Sequence, residues 1–167
     1  PALGDVQTRE FRIFTPDIMQ AISRFTKQGG NVFASGAHIA TDMIENNDTV
    51  AMHFARDVLR FTWRTSHATQ EGKVYATDLG KGRNIFPEEI SFNTQQQAPV
   101  YRVESPDAIE PSDDAFRICR YLSGNCSAGT AYKGSYRTVV LGFPFETITD
   151  EQQRNLLMKN IMLFFNQ

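Results

Sequence analysis

The sequence predicts an α/β domain: a mostly parallel sheet between two helical layers, with an antiparallel hairpin at one edge. Three observations carry that reading. Thr138-Val139-Val140-Leu141-Gly142-Phe143 is a largely apolar run, as expected of a strand covered on both faces, and Pro144-Phe145-Glu146 leads from it into an amphipathic helix. Asn31 to Ser35 is a second short apolar run that turns at Gly36 into another helix, a strand–helix unit of the parallel kind. Ala115 to Tyr121 and Cys126 to Lys133 flank the turn signal Ser123-Gly124-Asn125 and read as a hairpin.

Element by element, Thr15-Pro16-Asp17 starts the first helix, with Thr15 as N-cap and Pro16 at the first helical position. Ile18, Ile22 and Phe25 repeat at helical spacing on it, and Gly29-Gly30 stops it. After the Asn31 to Ser35 strand, Gly36 opens a helix that runs through Ile44. Asn46 to Thr49 caps a third helix, with Val50, Phe54 and Val58 on one face. Phe61-Thr62-Trp63 reads as a strand, residues 64 to 99 as polar chain with a few short strands, and Val100 to Glu104 as another strand. Thr149 and Gln152 form a capping box for the final helix, whose stripe Leu157, Ile161, Phe164 and Phe165 faces the sheet.

At 167 residues the chain reads as one domain, residues 1–167, able to bury roughly 70% of its unfolded surface. Thirteen Phe against one Trp supply much of the core. A net charge of −2 gives no electrostatic ground for nucleic acid or an anionic membrane as partner. No apolar run approaches the roughly 18 residues of a membrane span. The chain opens on Pro1 without a signal-peptide pattern and shows one clear parallel strand–helix unit, which reads as the C-terminal portion of a larger domain whose first strands are missing. Cys119 and Cys126 face each other only if the turn is centred between Leu122 and Ser123; two free, part-buried thiols are the favoured reading. His38, His53 and His67 lack metal-ligand spacing, so neither a metal nor a cofactor is expected.

The stretches ISRFTKQGGNVFASGAHIATDM, YRVESPDAIEP and SAGTAYKGSYRTVVLGFPFETITDEQQRNLLMKNIMLFF resemble the class I glutamine-amidotransferase-like, flavodoxin-like domain of secreted Bacteroidetes proteins named as xanthan lyases. The resemblance runs from about Phe11 to the end of the chain. It implies a secreted, periplasmic or surface location and a role near polysaccharide. Amidotransferases of this class present a cysteine at a Gly-flanked strand-to-helix turn, and carry His and Glu in a pattern like QFHPE after a later strand. Here the first turn is Ala34-Ser35-Gly36-Ala37-His38, without cysteine. The second is Gly142-Phe143-Pro144-Phe145-Glu146, where Pro144 stands in the place of the His and Glu146 alone matches. Proline cannot take a proton, so that triad cannot hydrolyse an amide.

Other residues could carry chemistry at the same rim. Ser35 with His38 offers a hydroxyl and an imidazole, although Ser and Gly after a buried strand more often only shape the turn. Arg64, Ser66 and His67 follow a strand and form the cation-plus-base set that a uronate lyase needs, and equally an ordinary polar loop. The catalytic candidates are therefore Ser35, His38, His67 and Glu146, and the ligand-binding candidates are Gly36, Arg64, Ser66 and Glu146. Glu146 is expected beside the Ser35–Gly36 turn, accepting backbone N–H groups there. The reading is a non-amidotransferase accessory domain, binding or scaffolding beside neighbouring domains and polysaccharide. A hydrolase or lyase built on the rim residues is the alternative.

Overall fold

The computed structural model describes residues 12–96 and 99–167; residues 1–11, where the start of the chain was read, and 97–98 lie outside the described part. Thr15 caps helix α1 (Pro16–Lys27), its Oγ1 accepting from the Ile18 N–H at 3.4 Å. Gly29, at φ 84°, takes the left-handed conformation that ends the helix. The face α1 buries is not the one its spacing suggests: Met19 and Thr26 are buried, while Ile18 and Phe25 are 43% and 52% exposed.

Strand β1 (Val32–Ser35) leads through a turn into α2 (Thr41–Glu45). Helix α3 (Thr49–Phe54) is capped by Asp48, whose Oδ1 accepts from the Ala51 N–H, and widens into a π turn over Ala55–Leu59. Arg60, in the left-handed region at φ 68°, closes it before β2 (Phe61–Thr65). Then come β3 (Lys73–Ala76), α4 (Asp78–Gly82), β4 (Glu89–Ser91), β5 (Ala108–Pro111), β6 (Phe116–Tyr121), β7 (Ser127–Lys133) and β8 (Arg137–Leu141). The 100–104 segment is not a strand; the strand in this part of the chain is β5. After a 3₁₀ turn at Phe145–Thr147, helix α5 (Glu151–Phe165) is capped by Asp150, whose Oδ1 accepts from Gln152 and Gln153. Thr149, expected in that role, instead donates its hydroxyl to the Ser91 carbonyl.

The sheet corrects the predicted fold class. Six strands in the order β1-β8-β7-β6-β3-β4 form one curled mixed sheet, and β2 with β5 form a second. Within the six, β1 and β8 run parallel, with Phe33 opposite Val139, and the other four adjacent pairs are antiparallel. The reason is connection length. β6, β7 and β8 follow one another across Leu122–Cys126 and Gly134–Tyr136, and links so short can only reverse the chain; parallel neighbours need a crossover of a dozen residues or more. The sheet is therefore not the mostly parallel, three-layer flavodoxin-like one expected, and β1 lies at its edge.

Two apolar clusters flank the sheet. Val139 and Leu141 of β8 point into one, with Ile118 of β6 and Leu157, Ile161 and Phe164 of α5. Val140 points into the other, with Met43 of α2, Phe54 of α3, Leu59, Phe61 of β2 and Ile109 of β5. β8 is thus covered on both faces, which is why its sequence is apolar at successive positions. Cys119 and Cys126 are free thiols; Cys119 pairs across the ladder with Gly129, so the register never brings the two opposite each other.

Candidate functional site

The C-terminal ends of β1 and β8 lie side by side, and the rim they form carries several of the candidate residues. The Gly36 N–H continues the ladder onto the Leu141 carbonyl at 3.2 Å, and Ser35 Oγ accepts from the Phe145 N–H at 3.2 Å. The Ser35 hydroxyl therefore pins the backbone one residue before Glu146. The Glu146 carboxylate itself turns to Tyr101, whose hydroxyl donates to Oε1 at 2.6 Å; the Gly36 amide is not its partner. Burial and this carboxylate together push the Tyr101 phenol up to about 12, so it stays a proton donor through the neutral range.

The remaining candidates are dispersed around the second sheet. Arg64 points to the Glu110 carboxylate at 2.8 Å, and Arg117 reaches the same group at 2.6 Å. Burial pushes the Glu110 carboxyl up, but the two guanidinium bonds outweigh it and hold the group below its ordinary value. Ser66 Oγ lies 3.2 Å from His67 Nδ1, and the His67 N–H donates to Ser105 Oγ at 3.2 Å. His38 is exposed in the loop before α2. No hydrogen bond joins any two of Ser35, His38, His67 and Glu146 among the described residues. No cluster of three or more His, Cys, Asp or Glu is placed to hold a metal among those residues either.

What the sequence reading missed is Asp107, a fully buried carboxylate immediately before β5. Its Oδ2 accepts from the N–H groups of Ala40 and Thr41 at 2.7 and 2.8 Å, and its Oδ1 accepts from the Thr41 hydroxyl at 2.5 Å. Asp107 thus caps α2 from another element, supplying acceptors for amides that no earlier turn can satisfy. Burial raises its pKa, and the Thr41 and Ala40 bonds pull it back in part. Its main chain is tied as firmly: its N–H donates to the Gly142 carbonyl, and its carbonyl accepts from the Tyr121 hydroxyl. An acidic residue at the head of a buried apolar pair, Ala108-Ile109, was the available signal.

The cavities among the described residues include a polar one and an apolar one. The larger, about 540 Å³, is polar and open, lined by Tyr75, Thr77, Asp78, Lys81, Arg120 and Asn125 between α4 and the β3–β6 ladder. The second, about 330 Å³, is apolar and lies between α2, α3 and β2. No described helix is long and apolar enough to cross a membrane.

No family model matches the chain, and no curated protein matches it in sequence. Solved structures do match its fold. The mmIFT52 N-terminal domain superposes with a TM-score of 0.60 at 11% identity, over 92% of this chain and 72% of that one. The cytoplasmic protein STM3548 from Salmonella typhimurium gives 0.56 at 14% identity, over 91% of this chain and 61% of its own, so this chain spans less than two thirds of that protein. Neither title is that of an amidotransferase-like or xanthan lyase domain. The amidotransferase, flavodoxin-like, xanthan lyase and secreted descriptions implied by the resemblance find no support here and are withdrawn. At such identities the likeness reaches the fold alone, which in this chain is a curled, strand-rich mixed sheet with a second, two-stranded one.

Proposed function

We propose that the chain is an accessory domain without amidotransferase chemistry, which binds or scaffolds beside neighbouring domains and polysaccharide. The observation that carries this is the separate use of each rim side chain: Ser35 holds the Phe145 amide and Glu146 holds the Tyr101 phenol. A nucleophile needs a base within hydrogen-bond reach, and Ser35 has none among the described residues. The polar cleft lined by Tyr75, Asp78, Arg120 and Asn125 suits a hydroxyl-rich ligand, and neighbouring domains are the other proposed partners.

One contact favours the alternative, a hydrolase or lyase: Ser66 Oγ and His67 Nδ1 form a hydroxyl–imidazole pair at 3.2 Å. The purified domain is to be assayed against glutamine, simple esters and acidic polysaccharide, beside Ser66→Ala and Glu146→Gln. The expected outcome is no turnover by any of the three. Turnover that either substitution abolishes would establish the enzyme reading.

A further inference from the structure

The apolar cavity between α2, α3 and β2 has the features of a built ligand site. Met43, Ile44, Met52 and Trp63 form its walls, and His53 and Arg56 stand on α3 and the π turn that continues it. The indole is fixed rather than adaptable. Trp63 Nε1–H donates to Thr41 Oγ1 at 3.1 Å, and that hydroxyl donates onward to the buried Asp107 carboxylate. Thr41 is 4% exposed and Asp107 fully buried, so the wall is anchored to the core through two polar groups that water does not reach. With its N–H already satisfied, the ring presents an apolar face to the cavity. Met43 and Met52 add polarisable, adaptable surface to the same lining.

The charge at the site is placed by helical spacing. Thr49, Met52, His53 and Arg56 fall at i, i+3, i+4 and i+7, which is one face of a helix. The Arg56 guanidinium uses Nε and Nη2 on the adjacent Asp57, leaving Nη1 for another acceptor, and His53 has no hydrogen-bond partner among the described residues. Both side chains are exposed. An apolar cavity of about 330 Å³ with a few polar groups in its lining is the ordinary form of a small-molecule site. We infer that this cavity binds a small aromatic carboxylate, its ring against Trp63 and the methionines and its carboxylate on Arg56 and His53. The site shares no lining residue with the β1–β8 rim and stands whether or not the reading of that rim holds.

Trp63 is the chain's single tryptophan and reports occupancy directly. The full chain is to be titrated with 3-phenylpropionate and with its neutral isostere 3-phenylpropionamide, following Trp63 fluorescence and backbone amide shifts. The acid should give a saturable change with shifts confined to α2, α3 and β2, and should bind at least about tenfold more tightly than the amide, a difference one charge-assisted contact can supply. Arg56→Gln and His53→Gln should each weaken the acid several-fold, leave the amide unchanged and keep the wild-type melting temperature. Met52→Trp, which fills the cavity, should abolish binding of both. Equal affinity for acid and amide, shifts centred on Tyr75 and Arg120, or no saturation up to about 10 mM would each overturn the inference.

Discussion

At the scale of single residues, Gly142 and Asp107 show how a motif residue can serve the fold rather than the chemistry suggested for it. Gly142 opens the Gly-Phe-Pro-Phe-Glu string, yet its role here is to let another backbone approach. A Cβ added at this position would collide with the Asp107 carbonyl oxygen, the same oxygen that accepts the Tyr121 hydroxyl. The Gly142 N–H and carbonyl are both committed, to Ala128 and to the Asp107 N–H, so the chain cannot shift aside without breaking a ladder bond. Gly142→Ala should therefore cost about 3 kcal/mol, the upper range for overpacking, measured as a fall in urea-unfolding free energy. A loss under about 1 kcal/mol would mean that the β5 entrance yields easily. Asp107 was hard to read as a site because its carboxylate serves amides 67 and 66 sequence positions away, across an element boundary no periodicity describes.

At the scale of elements, helix ends and buried strands were read more securely than the faces helices turn inward. The Thr15 cap, the hairpin over β6 and β7, and the α5 stripe stand in the structure as spaced in the sequence. The stripe is specific enough to test: Phe164 is 1% exposed within the cluster that holds Val139 and Leu141. Phe164→Ala should cost about 3–5 kcal/mol as a large-to-small core change. Val50, assigned to the inward face of α3, is 65% exposed, so Val50→Ala should move stability by no more than about 0.5 kcal/mol. Chemical denaturation of the two variants side by side checks both statements. Helix faces went wrong on α1 and α3 because several apolar residues there offer two overlapping stripes. Only the position of the sheet selects Met19 over Ile18 on α1, and Ala51 over Val50 beside the correctly read Phe54 on α3.

At the scale of the whole molecule, the two apolar clusters are joined through the β1–β8 pair, and most fully through β8. Successive residues of β8 serve opposite sides, Val139 and Leu141 one and Val140 the other, so neither side keeps its core if β8 leaves. The expectation is one cooperative unfolding transition. Trp63 lies against the cluster on the α1–α3 side, so its fluorescence reports that side while far-ultraviolet circular dichroism reports the helices and sheets together. The two denaturation curves should superimpose; a fluorescence midpoint clearly separate from the dichroism midpoint would show that the sides unfold independently.

The sequence by itself determined the elements with strong local signals. These include the shared direction of β1 and β8, the hairpin with its free cysteines, and the absence of the amidotransferase cysteine and histidine from the two turns. Each rests on interactions within a few residues or on a residue type that is simply present or missing. Only the tertiary structure decided that the sheet is mixed and that Glu146 meets Tyr101 rather than the Gly36 turn. An apolar run records that a strand is covered on both faces but not the direction of its neighbours. That direction follows from the lengths of the links that fold one strand back on the next.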